Sequence, residues 1–153
     1  MTTVQFIKYW EVMSYVFGGR AIITIVSNKT QTHFTYKFVA SKNGKNSAGN
    51  DVGNFVVYTL VGKKYLPFGK VVWYGKKFIY IPGYVPKSWV RYKAFMWVWR
   101  HIINKVFPKG VYIWREDKCC VCGKRLTHPE SIVKGIGPEC IKTYSGIMPN
   151  GGK

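Results

Sequence analysis

All four cysteines of this 153-residue chain fall between residues 119 and 140. Thiolates that share one ion fix the loops that carry them, so such a cluster constrains a fold more than local propensity does. Cys119-x2-Cys122-Gly123 has the form of a metal knuckle. A glycine after the second cysteine lets the backbone turn until both thiolates point at one ion. Cys140 follows Gly137-Pro138, a second tight turn, at the expected start of a last helix. A closed tetrahedral site takes four ligands, and His128 and Cys120 are the candidates for the fourth. Sulfur ligands with an imidazole suit zinc better than iron. No second histidine or acid pocket lies nearby in sequence, which favours a structural ion over a catalytic one.

The rest of the chain reads as α+β: a small antiparallel sheet packed with an N-terminal helix and a long central helix. Residues 3–17 place Phe6, Tyr9, Trp10, Met13 and Val16 at helical steps, ended by Gly18-Gly19. Residues 20–27 are β-branched, and 32–39 alternate strictly, with Phe34, Tyr36 and Phe38 on one side. These two runs predict a hairpin. Residues 41–53 are a polar, Gly/Asn-rich loop, and three further strands are expected at 54–61, 70–74 and 77–81. A helix is expected over 87–106, with Phe95, Val98, Trp99, Ile102, Ile103 and Val106 inward and Lys93, Trp97, Arg100 and Asn104 opposite. A short strand, 111–114, leads to the cysteines. The expected organisation is a basic α+β domain at 1–114, a zinc-knuckle module at 115–145 and a flexible tail at 146–153. The first residues lack a basic segment followed by an unbroken apolar run, and no stretch approaches the ~20 apolar residues of a membrane span. A soluble cytoplasmic protein is expected.

Charge narrows the partner. Lys and Arg number 24 against six acids, a formal net charge of +18. Between Val52 and Arg115 there are twelve Lys or Arg and no acid. A hydrophobic fraction of 47% excludes a disordered basic tail. A one-signed surface of this kind calls for an anion, and nucleic acid is the foremost one. Cations interleave with aromatic residues, which suits phosphates plus stacked bases. Most of those aromatics are expected in the core, with Trp97 the exception, on the helix face of Lys93 and Arg100. The turns with Lys63 and Lys64, and Lys76 and Lys77, form a second basic site, and Lys124 and Arg125 of the knuckle a third. The acids and the three histidines are scattered, so no acid, base and nucleophile converge and a binding protein is expected rather than an enzyme.

The run Cys119-x2-Cys122-Gly123, then Leu126-Thr127, Pro129-Glu130-Ser131-Ile132 and Gly135-x-Gly137-Pro138-Glu139-Cys140, resembles the zinc knuckle of a family of small bacteriophage and prophage proteins of unknown function. Weaker likeness runs through Ile23–Ser27, Phe34–Tyr36, Asn54–Gly62 and Lys93–Trp97. That family commonly carries Trp-His-Glu before its first cysteine, and its His would be a zinc ligand. Here the run is Trp114-Arg115-Glu116, and arginine has no lone pair to give. Of the two candidates, His128 is then favoured, because it lies in the loop between Cys122 and Cys140, whereas Cys120 adjoins Cys119. The resemblance implies a phage-encoded protein in a bacterial host. The expected function is nucleic-acid binding. The alternatives are a phage inhibitor of a host nucleoprotein machine, such as a CRISPR effector, RNA polymerase or the ribosome, and a ribosome-associated structural protein.

Overall fold

The computed structural model describes residues 3–41, 54–74 and 77–142. The expected tail, Lys76 and all but Ser41 of the expected 41–53 loop lie outside the described residues, as does the side chain of Lys77. Among the described residues, seven antiparallel strands form one sheet: β1 (Thr3–Gln5), β2 (Arg20–Ser27), β3 (His33–Ala40), β4 (Phe55–Val61), β5 (Lys64–Tyr74), β6 (Lys77–Pro82) and β7 (Val111–Glu116). Their spatial order is β1-β7-β2-β3-β4-β5-β6. The class is α+β as expected, but the sheet is larger than the small one the sequence predicts.

The expected helix over 3–17 divides into β1 and a shorter helix, α1 (Tyr9–Val16). The cause is local. The Glu11 carboxylate accepts hydrogen bonds from the backbone N–H of Ile7 (3.0 Å) and Lys8 (2.8 Å), which fixes the helix start there. Thr3-Val4-Gln5 is then free to pair with Trp114–Glu116 of β7.

The β2–β3 hairpin forms as the alternation predicts, with Tyr36 and Phe38 fully buried. The β4–β5 hairpin turns at Gly62-Lys63 and continues through Leu66-Pro67-Phe68, a stretch the sequence leaves unassigned. Register shifts there: Val57 faces Gly69 and Tyr58 faces Pro67, so Phe68 is the extra residue of a bulge. The bulge drives the Phe68 ring into the core, where it is fully buried. β6 pairs only from Gly69 onward, so Pro67 occupies a free edge and costs the ladder no bond.

The second helix, α2 (Val90–Ile103), is shorter than the expected 87–106. The chain leaves it at Asn104, and Lys105 takes a positive φ of 63°. Phe95, Val98, Trp99 and Ile102 are buried, as expected, whereas Val106 lies past the helix and is exposed. Phe95 stacks on Trp99 at 5.8 Å and tilts against Tyr36 and Tyr80 at 4.9 and 4.7 Å. Such aromatic pairs add to simple area burial. The core residues alternate along β2, β3 and β4, and β7 contributes Ile113. The outward set includes Lys37, Tyr58 and Ile79, and among the described residues no helix covers that face of the sheet. Among the described residues no helix is long and apolar enough to cross a membrane.

Candidate metal centre and basic surface

β7 runs straight into the cysteine segment, crossing residue 115 without a break. The knuckle is a miniature hairpin. Cys119 N–H donates to Lys124 O (2.8 Å), Gly123 N–H to Cys119 O (2.9 Å) and Leu126 N–H to Asp117 O (2.7 Å). Gly123 makes the turn with φ 78°, a left-handed conformation that side chains resist. A third helix, α3 (Pro129–Lys134), follows and ends at Gly135 with φ 75°. A Cβ there would stand 2.8 Å from the Tyr15 ring, so both backbone and space require glycine. Cys140 then opens a 3-10 turn, Cys140–Lys142.

These turns bring Cys119, Cys122 and Cys140 together, with all three sulfur atoms within 4.8 Å of one another. A tetrahedral ion with bonds of about 2.3 Å sets thiolates about 3.8 Å apart, so the group can hold a metal ion with little movement. Cys119 Sγ also accepts hydrogen bonds from the backbone N–H of Val121 and Gly137, each 3.4 Å. Burial raises the Cys119 thiol, but the backbone N–H groups of Cys122, Gly137 and Val121 outweigh it and bring the pKa to about 7. Burial and its two thiol neighbours push Cys140 up to about 11.

The three-sulfur group includes neither His128 nor Cys120. His128 is the exposed residue before α3, and Pro129 at the first helical position fixes the backbone there. Cys120 is buried, and its pKa is pushed to about 12 by burial first and by the charge of Cys119. Its backbone serves as a joint: the carbonyl accepts from Arg20 N–H (2.8 Å) and the N–H donates to Gly135 O (3.0 Å). His128→Ala is therefore expected to leave one metal ion per chain, measured by atomic emission. A halved or lost stoichiometry would put His128 back in the site.

Arg115 has a role its sequence neighbourhood hides. It is buried on β7, facing the same way as Ile113. Its guanidinium donates to the carbonyls of Ile132 (2.5 Å) and Val133 (3.1 Å) near the end of α3. Its centre lies 5.1 Å from the Tyr15 ring. Tyr15 in turn donates its hydroxyl to Lys118 O at 2.9 Å. Burial lowers the pKa of Arg115, against the charges of Tyr15 and Cys120. The clamp places α3, and with it the Gly135–Gly137 turn whose amide faces Cys119. The period-two step from Ile113 to Arg115 was the available signal.

The basic candidates fall in several places. Lys63 and Lys64 are exposed at the β4–β5 turn. Lys93, Trp97 and Arg100 are all exposed on α2, and Trp97 retains 42% of its surface. Lys124 is exposed on the knuckle. Arg125 is not a free cation: its Nη1 lies 2.8 Å from a carboxylate oxygen of the buried Asp117. Lys93 and Trp97 share one cleft with Lys109, which the sequence does not single out.

Residues 114–144 match the model of a family of unknown function (DUF6011). The match covers β7 from Trp114 onward, the knuckle, α3 and Cys140. It thus supports the same segment that the cysteine motif marks out. No curated protein and no solved structure matches the chain.

Proposed function

We propose that the protein binds nucleic acid through a surface of Lys, Arg and aromatic side chains, and that its three-cysteine centre holds zinc as a structural ion. Charge placement carries the first part. Glu116, Asp117, Glu130 and Glu139 each pair with a neighbouring cation, Lys118, Arg125, Lys134 and Lys142. Glu11 is engaged by backbone amides. Lys63, Lys64, Lys70, Lys87, Arg91, Lys93, Arg100, Lys105 and Lys109 have no ionic partner among the described residues. A phosphate backbone supplies the missing counter-charge. For the second part, zinc is the closed-shell ion that a small all-thiolate cluster suits, with a fourth position left to a ligand from elsewhere.

The test is equilibrium binding of duplex and single-stranded DNA and RNA across a salt series. Affinity is expected to fall roughly a thousandfold between about 50 and about 200 mM salt if about six phosphates are neutralised. A flat response sinks the reading.

A second reading places the protein on a host nucleoprotein machine in a phage-infected bacterial cell. The exposed apolar residues of the uncovered sheet face favour it: Ile79 and Ile81 keep 41% and 40% of their surface, and Tyr112 lies on the same face. The phage setting rests on the resemblance of the cysteine segment. Pull-down from host lysate with and without nuclease separates the readings, because capture that survives nuclease belongs to the second.

A further inference from the structure

A cleft of about 460 Å³ runs between the N-terminal half of α2 and the β2–β3 hairpin. Phe34, Val90 and Trp97 give it apolar walls, Lys93 and Lys109 give it charge, and Thr32 contributes a hydroxyl. The Trp97 indole is braced from behind: the His101 ring sits 4.4 Å away, and His101 Nδ1–H donates to Trp97 O at 2.7 Å. A second cavity of about 320 Å³ adjoins the first, sharing Phe34 and Val90. It is lined also by Trp89 and Arg91. The Arg91 guanidinium lies 5.0 Å from the Phe34 ring and 5.5 Å from the Trp89 ring, and it is anchored by donating to Leu60 O at 2.8 Å. Both volumes are of small-ligand size. Neither cavity has an acidic residue in its wall.

We infer that these two cavities form a track for successive nucleotides of a single strand, one base against Trp97 and Phe34 and the next against Trp89 and Arg91. Lys93 and Lys109 hold the phosphate beside the first base. The inference rests on the nucleic-acid reading and adds to it both the location and the strandedness of the ligand. Each cavity pairs an indole with a cation. An aromatic plane takes any base, and a cation takes the phosphate that accompanies it. A paired base is hidden in its duplex and cannot enter such a cavity without being extruded.

The test uses the full-length, metal-loaded chain and two probes, a uridine and a deoxythymidine homopolymer, each compared with a duplex. Trp97→Ala is expected to weaken binding to the single strand about tenfold or more, with duplex affinity little changed. Lys93→Gln combined with Lys109→Gln is expected to lower the slope of log affinity against log salt by about 0.7. Trp10→Ala removes a half-exposed indole outside both cavities and is the control that keeps full affinity. Single-strand binding that survives both cleft variants overturns the track while leaving the nucleic-acid reading intact. An equal loss on duplex overturns the strandedness, and polyphosphate competing as well as the homopolymer overturns base recognition. A wild-type chain that binds neither strand nor duplex at low salt removes the reading and the track together.

Discussion

Cys122→Ser is expected to abolish metal binding and to lower the melting temperature by about 10 °C. Cys122 is only half-buried, so the substitution removes a ligand with little change in packing. Cys119, fully buried, would confound the two effects. When free metal stands about a thousandfold above its dissociation constant, linkage is worth about 4 kcal/mol. For a chain of this length each kcal/mol moves the midpoint about 2–4 °C. Calorimetry with and without a strong chelator measures the same quantity twice: the wild type should fall to the variant's midpoint, and the variant should not respond. Cys120→Ser is the companion. Its thiol lies outside the three-sulfur group, so that variant should keep its metal even if a buried hydroxyl costs it stability. A chelator that leaves the wild-type midpoint where it was would remove the structural role of the ion.

Arg115→Met is expected to cost about 3 kcal/mol and to loosen the metal. Two carbonyls at the end of α3 lose a charged donor at once, and a part-buried hydrogen bond to a charged group contributes about 1.5–3 kcal/mol. Because the clamp sets α3, and α3 sets the Gly137 amide against Cys119, the same variant should release a bound metal ion to a chelator faster. Arg115→Lys should not rescue it, since one ammonium cannot replace both Nη2, which serves the two α3 carbonyls, and Nη1, which donates to Glu116 O. Urea unfolding and chelator competition read the two effects. Lost stability with unchanged metal retention would confine Arg115 to the core.

Strands β2, β3 and β4 were legible to within a residue or so because their alternation is dictated by one buried face. The four buried side chains of α2 were legible for the same reason at helical period. What escaped depends on partners remote in sequence. Thr3-Val4-Gln5 becomes a strand only because β7 offers an edge. Leu66-Pro67-Phe68 stays in β5 only because a bulge absorbs the mismatch, which proline and glycine made look like a break. At the site, the three cysteines were legible from turn chemistry. His128 lies between Cys122 and Cys140 in the chain, at the start of α3. Arg115 read as a ligand lost, whereas the fold uses it as a tie.

The position of β7 between β1 and β2 bears on how the chain is made. A ribosome delivers β1 and β2 first and β7 last, so the edge of β2 stays bare until residue 116 has emerged. β1 has nothing to pair with until the same moment. The strands from β2 to β6 can assemble as a meander during synthesis, each beside its predecessor. Closure of the N-terminal edge, burial of Cys119 and assembly of the thiol group then come late, once residues 111–140 have emerged. A truncation before Val111 would thus leave a polypeptide with an open strand edge and no thiol group, a species prone to pair with others of its kind.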